Sequence, residues 1–408
     1  MTRNRAALAI PAALLVLSGC GVAAAVTART TTVSDIIPNA TAARASLTLR
    51  SLPLSRVRPV VAAVPPASQP KPPAPAPSPD VVSILTAGPT QWLEILSHSG
   101  AVVAKAPIDP ILGWMVASGS GGAYWAQSDA MFELTPSGAV RKLGTVPSDA
   151  NGVLIGPDGT SYAYATSDQS KSGVVTNRIV VVRPGAAAVT IADRVDDPNH
   201  PTADAPASWD YYLINWTSAG IAFARVPSGG CGCGSFDMQM QSAYSAMINP
   251  VTEVGSPLTA SASCPLSAVG PGMETACFSG TTTTTGLHVS SGGTPRYSFA
   301  MSGANVAGDA VFSPSGTSVA YVTIPAAEDT CGATWNATLR VLDLASGTAR
   351  SRTLGEFTPA VWAPDGLIYG SIATASGSMA TLVAVNPATL AVTELGSATT
   401  GEQFVGIM

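Results

Sequence analysis

The stretch LRVLDLASGTARSRTL, residues 339–354, holds two strand-forming runs separated by a turn at Ser346-Gly347. Such runs on either side of a glycine-bearing turn read as a β-hairpin. The pattern recurs as LEILSHSGAVVAKA from Leu93, MFELTPSGAVRKLG from Met131, IVVVRPGAAAVTIA from Ile179, SAMINPVTEVGSPL from Ser245, GLHVSSGGTPRYSF from Gly286 and LVAVNPATLAVTEL from Leu382. Seven hairpins at intervals of roughly 35 to 65 residues mark a repeat architecture, because one such unit cannot bury its apolar face without neighbours.

Working outward, each hairpin supplies the outer strands C and D of a four-stranded meander, and inner strands A and B should precede it. Short apolar runs at 112–116, 152–155, 212–216, 266–269, 310–312 and 360–362 fit strand A. Several lead into tight turns, such as Gly156-Pro157-Asp158-Gly159, Ser313-Pro314-Ser315-Gly316 and Ala363-Pro364-Asp365-Gly366. Pro presets the first central position there, and Gly ends the reversal. Strand B follows at 161–165, 221–225, 318–323 and 367–372, alternating or apolar throughout, as strands packed between neighbours should be. The first hairpin has its B strand at 81–85 but only Pro-rich sequence upstream, while 403–408 is a strand left over after the seventh. Pairing the two closes a ring and covers both edges. The expected fold is all-β, a seven-bladed β-propeller over residues 81–408 whose first blade is closed by the C-terminal strand.

The turn stretch FSPSGTSVAY from Phe312, together with 155–164 and 362–369, resembles the S-P-D-G-x-x-I-A-Y repeat of the propeller in the bacterial TolB family. The match is good in three of the seven units and looser elsewhere. It implies a propeller in an extracytoplasmic setting. The Gly-His and Trp-Asp signatures of WD repeats are absent.

At the other end, Arg3 and Arg5 precede an apolar run at 6–17, and Leu17-Ser18-Gly19-Cys20 follows. This reads as a secretion signal, too short for a transmembrane span. The tetrad resembles the lipobox of bacterial lipoproteins. That resemblance implies a signal peptide over 1–19 and diacylglycerol on the Cys20 sulfur, holding the protein on a membrane of the cell envelope; cleavage at Ala23 or Ala25 is the alternative. Residues 20–80 read as a flexible linker whose second half is Pro-rich, with Pro65, Pro66, Pro70, Pro72, Pro73, Pro75, Pro77 and Pro79. Such a run extends at about 3.1 Å per residue and acts as a spacer. Arg44, Arg50, Arg56, Arg58 and Lys71 keep it solvated or draw it to anionic surfaces.

With 46% hydrophobic against 11% charged residues, the chain as a whole is not disordered, and a net charge of -5 gives no reason to expect a nucleic-acid partner. No G-x-S-x-G, H-E-x-x-H or G-x-x-x-x-G-K-[ST] motif occurs, so no catalytic set, metal site or cofactor is assigned. His98 and His288 fall at expected C–D turns and read as solvated surface residues. Meander topology puts A–B and C–D turns on one face and B–C and D–A loops on the other. The long insertions at 167–177, 193–208, 227–242 and 325–336 all belong to the second face, and binding residues concentrate on such loops. Asp193, Asp196, Asp197, His200, Asp204, Trp209, Tyr211, Glu328, Asp329 and Trp335 are the candidate binding face, acids and aromatics suited to a cation or a sugar. An acidic, solvated loop is the plainer reading. Cys264 and Cys277 flank the A–B hairpin of the fifth unit and are expected to form a cross-strand disulfide. Cys231, Cys233 and Cys331 offer one loop disulfide with a thiol left over.

The function expected from these features is a monomeric, lipid-anchored binding or scaffolding module for an envelope protein, peptide or glycan. The alternative is a carbohydrate-active hydrolase or lyase using carboxylates from different blades at the channel mouth, which for glycoside hydrolysis requires a pair about 5 to 9 Å apart.

Overall fold

The computed structural model describes residues 79–87, 90–109, 115–169, 174–196, 209–227, 244–258, 264–280, 283–328, 335–373, 380–395 and 401–408. The signal segment, Cys20, the linker up to residue 78, Cys231, Cys233 and Cys331 lie outside them.

Among the described residues the chain is all β, without an α-helix. The first sheet orders as β27-β1-β2-β3, combining β1 (Val81–Ala87), β2 (Thr90–Leu96) and β3 (Val102–Ile108) with the C-terminal β27 (Gly401–Ile407). A second meander holds β4 (Val116–Gly119), β5 (Gly122–Gln127), β6 (Ala130–Leu134) and β7 (Val140–Gly144). The third holds β8 (Ala150–Ile155), β9 (Tyr162–Gln169), β10 (Val175–Val182) and β11 (Val189–Asp196). The fourth holds β12 (Trp209–Thr217), β13 (Gly220–Pro227), β14 (Tyr244–Ile248) and β15 (Gly255–Pro257). The fifth holds β16 (Leu266–Val269), β17 (Glu274–Ser279), β18 (Gly286–Ser291) and β19 (Thr294–Ala300).

The remaining strands form one seven-stranded sheet: β20 (Asn305–Phe312), β21 (Ser318–Pro325), β22 (Ala337–Asp343), β23 (Ala349–Trp362), β24 (Ile368–Ala373), β25 (Ala380–Val385) and β26 (Val392–Glu394). Its long β23 pairs with β22 over Ala349 to Gly355 and with β24 over Glu356 to Trp362. One strand is thus the outer edge of the sixth meander and the inner edge of the seventh. Each quoted hairpin occupies the outer two positions of its meander.

Alternation explains how the meanders stack. In β10 and β22 the first four residues alternate between buried and half-buried, and then Ile179, Val180 and Val181, or Val341 and Leu342, are buried in succession, so both faces carry apolar side chains. The outermost strands β7, β15 and β19 are exposed instead. An apolar cluster fills every seam between successive meanders, for instance Leu93 with Trp125 between the first two and Val341 with Phe357 between the sixth and seventh. The smallest lies between the fourth and fifth, where Ala222, Met247, Leu258 and Leu266 are its buried members. Val81 and Leu96 of the first meander pack with Tyr369 and Leu382 of the seventh and with Phe404 of β27. Each such side chain contributes about 1.5–3 kcal/mol on burial. Between the second and third meanders a polar latch accompanies the apolar contact. The buried Tyr124 hydroxyl donates to the Gly159 carbonyl (2.8 Å) and lies 3.3 Å from Glu133 Oε1, while the Arg141 guanidinium pairs with Glu133 Oε2.

Two expectations need correction, and a third lies mainly outside the described residues. The inner strand expected at 112–116 falls mainly outside the described residues; within them it begins at Val116 and runs to Gly119. The hairpin there is tight, with Gly119 paired to Gly122 across two residues, and the absence of a Cβ at Gly122 lets the Leu134 carbonyl of β6 approach closely. The insertions at 167–177 and 193–208 are shorter than expected: β9 continues to Gln169, β10 starts at Val175, and β11 carries on to Asp196. Backbone pairing of Asp193 with Arg178 and of Asp196 with Val175 extends the ladder through residues whose polarity suggested a loop. His288 is not a solvated turn residue. It sits within β18, half-buried, with Nε2 2.9 Å from Ser279 Oγ and Nδ1 3.1 Å from Ser298 Oγ.

Candidate functional site

Inner strands come together around two adjoining cavities. The larger, about 520 Å³, is lined by β12, β16, β20 and the second half of β23; the smaller, about 410 Å³, by β4, β8, β12, β23 and β27. Ile214, Asn215, Ala360 and Val361 line both. The inner strands also neighbour one another in the cyclic order β27, β4, β8, β12, β16, β20, β23 and back to β27.

Register breaks shape the walls. Pairing between A and B strands skips Val405, Asn151, Ile214, Ser267, Asp309 with Ala310, and Ala360. A bulge of this kind removes a residue from the ladder, bends the strand and re-aims the side chain. Apart from Asn151, every skipped residue lines one of the two cavities. Two bulges brace each other: the Ala310 N–H, displaced from its own ladder, donates to Ser267 Oγ at 3.0 Å. Asp309 beside it is held at φ +49°, a left-handed conformation that Asp tolerates better than most residues.

Electrostatically the lining is spare. Asp309 is its one charged member among the described residues, set among Ile214, Leu266, Val361 and the aromatic Tyr212 and Trp362. Tyr212 is 39% exposed. Desolvation by the surrounding walls and then the Asp309 carboxylate push its phenol above the ordinary value, so it stays protonated and able to donate. The Trp362 indole N–H is already committed to the Gly366 carbonyl at 3.2 Å. Pro271, Ser313, Pro314 and Pro364 also line the larger cavity, which therefore reaches the side of the tight A–B turns.

The residues singled out from the sequence lie elsewhere. Tyr211 is buried in the seam between the third and fourth meanders, edge-on to Phe223 with ring centroids 5.1 Å apart. Trp335 packs on the cluster between the sixth and seventh, its backbone N–H donating to Glu356 Oε1 at 3.2 Å. Glu328 Oε2 accepts the next N–H, from Asn336, at 2.9 Å. Glu328 and Trp335 are thus brought together, and neither they nor Tyr211 line the cavities. Asp193 and Asp196 lie on β11 and Trp209 opens β12. Asp197, His200, Asp204 and Asp329 fall outside the described residues. Cys264 and Cys277 form the expected disulfide, with Cα atoms 5.3 Å apart, and staple the fifth meander beside the smallest seam. Asp309 and Tyr212 escaped notice, although a lone acid inside the apolar run NVAGDAVF was a visible signal.

No protein-family model matches the chain, and no curated protein matches it. A solved structure does share its fold. Oligogalacturonate lyase from Vibrio parahaemolyticus superposes with a TM-score of 0.50 at 10% identity, covering 78% of this chain and 85% of that one. Putative TolB from Agrobacterium tumefaciens is 15% identical over 71% of this chain and 95% of its own, with a TM-score of 0.42. For TolB from Acinetobacter baumannii the figures are 14%, 80% of this chain, 65% of that one and 0.43, so the chain spans less than two thirds of that protein. The likeness to the lyase is one of fold.

Proposed function

We propose that this chain is an extracytoplasmic, seven-bladed β-propeller that works as a binding module, its ligand seated in the cavity between the inner strands. The observation that carries this reading is the convergence of all seven inner strands on two adjoining cavities, with bulges turning residues into them. Pairing of β27 with β1 and the apolar cluster joining Val81, Leu96 and Phe404 support a closed ring. The Cys264–Cys277 disulfide supports an oxidising compartment. The Leu-Ser-Gly-Cys tetrad at 17–20 supports a lipid anchor on Cys20, with 20–80 as the spacer between membrane and propeller. On this reading the partner is an envelope protein, peptide or glycan. A glycoside-cleaving alternative would require a second carboxylate roughly 5 to 9.5 Å from Asp309.

The test uses the full-length chain in its own envelope, with a photo-crosslinking residue at Ala360, which faces the cavities, or at Val140, which is 51% exposed on an outer strand. The expected result is a discrete adduct from position 360, competed by untagged protein and missing from position 140. In parallel, Cys20→Ser should abolish incorporation of a labelled fatty acid. Equal adducts from both positions, or no adduct together with turnover of an envelope glycan, would sink the binding reading.

A further inference from the structure

Away from the inner strands, another cavity of about 470 Å³ opens between the second and third meanders. The end of β7 with Thr145 forms one wall, and the turns before β9 and after β10 form the other. None of its lining residues borders the two cavities between the inner strands. Its floor is fixed by the buried Tyr162, whose phenol donates to the Thr145 carbonyl at 3.0 Å. Gly144 makes room for that bond, since a Cβ there would stand 2.2 Å from the phenol oxygen. Charge sets this cavity apart: Arg141, Lys142 and Arg183 line it, and no Asp or Glu does among the described residues, in a chain of net charge -5. Both guanidinium groups are oriented by one bond each. Arg141 Nε pairs with the buried Glu133 carboxylate, and Arg183 Nη2 donates to the Pro250 carbonyl of the next meander at 2.6 Å. A guanidinium has five N–H donors, so each keeps others for a ligand. Lys142 is exposed on β7, and its ammonium has no partner among the described residues. Of the acids close by, Glu133 is matched by Arg141. Asp158, on the turn before β9, accepts the Thr160 and Ser161 N–H groups and the Ser161 hydroxyl. Lys142 and Arg183 are thus positive charges without a paired carboxylate among the described residues.

We infer that this cavity binds a phosphate monoester, with Arg141, Lys142 and Arg183 supplying the donors to its phosphoryl oxygens. Guanidinium forks match phosphate oxygens in pairs, and an ammonium adds a compact point charge. A monoester brings three acceptor oxygens and a charge of about -2, whereas a carboxylate brings two oxygens and one charge. Three cations around one cavity suit the former. The volume lies within the range of small-ligand sites and exceeds what a bare phosphate fills, so the group comes on a stem. Thr145 and Thr160 carry hydroxyls suited to a polyol stem, and Gly185, Ala186 and Ala188 keep the facing wall low. The site is separate from the one proposed above, so the two readings stand or fall independently.

The test is calorimetric titration of the full-length chain with sn-glycerol 3-phosphate, glycerate, glycerol and glycerophosphoglycerol, a soluble diester with the headgroup of an anionic lipid. One-to-one binding of glycerol phosphate is expected, at least about tenfold tighter than glycerate, weakened by added salt, and none for glycerol. Lys142→Gln removes a charge from an exposed position without a partner, so the fold is retained, and it should weaken binding about threefold or more. Adding Arg183→Gln should bring the loss to at least about tenfold. Arg296→Gln, on the exposed outer strand β19 of the fifth meander, should change nothing. Equal affinity for glycerate and glycerol phosphate, unchanged binding in Lys142→Gln, or no binding of glycerol phosphate at millimolar concentration overturns the inference. Tighter binding of glycerophosphoglycerol than of the monoester also overturns it, and gives the site to a phosphodiester of lipid or polymer instead.

Discussion

Tyr124→Phe isolates the polar latch between the second and third meanders. The substitution removes one hydroxyl and keeps the ring that packs with Met131, Ile155 and Tyr162. Lost with it are a bond to a neutral carbonyl at 2.8 Å and a contact with the buried Glu133 carboxylate at 3.3 Å. A neutral bond contributes about 1 kcal/mol and one to a charged group about 1.5–3 kcal/mol. The longer contact belongs at the low end, so a loss of about 2–3 kcal/mol is expected near pH 8. Titration gives the substitution a pH dependence. Burial, and then the Glu133 charge, push the Tyr124 phenol from 10.0 up to about 12. Because the fold favours the neutral phenol, this stabilisation is complete below pH 10 and is lost as pH rises through about 12. The assay is urea unfolding of wild type and variant across pH 8 to about 12, since their difference cancels the other tyrosines. That difference should shrink toward zero across the upper two units. A difference independent of pH, or one below about 0.5 kcal/mol at pH 8, would refute the assignment.

Two further outcomes follow from the same contacts. Replacing Cys264 and Cys277 by serine should cost about 3 kcal/mol, from a separation of 13 residues and the loop-closure relation, read as a drop in the urea midpoint that reducing agent reproduces in wild type only. An unchanged midpoint would show that the fifth meander needs no staple. Gly406→Ala should cost about 1–3 kcal/mol, because its Cβ would stand 1.9 Å from Ser118 Oγ on the neighbouring inner strand, and Ser118→Gly should restore most of the loss. Tolerance of the alanine without the second change would remove β27 from beside β4.

Much of the strand arrangement was legible because its determinants are local. Pro314 and Gly316, or Pro364 and Gly366, set turn geometry within four residues, and apolar runs on either side fix the strands that follow. Pairing of the C-terminal strand with β1 was legible for another reason: one hairpin lacked an inner strand and one strand lacked a hairpin. The cavity between the inner strands was hidden because bulges leave little trace in sequence. Nothing in Leu266-Ser267-Ala268 announces that Ser267 leaves the ladder to accept a bond from Ala310. Asp193 and Asp196 misled in the opposite direction. An acidic run suggests a loop, yet the outermost strand of a meander has one open edge and tolerates charge. Tyr211 and Tyr212 are neighbours with opposite fates, one in the core and one in the cavity, since successive residues of β12 point to opposite sides.

Closure through the chain ends is the claim on which the cavity, its seven inner strands and the proposed role all depend. Amide hydrogen exchange of Gly406 and Met408, whose N–H groups point toward β1, that of Met408 donating to the Asp80 carbonyl, measures it directly. The account predicts that they exchange as slowly as Val383 and Val385 in the core of the seventh meander, opening only with global unfolding. Exchange of these two amides at rates typical of a fraying terminus, while Val383 and Val385 remain protected, would contradict it.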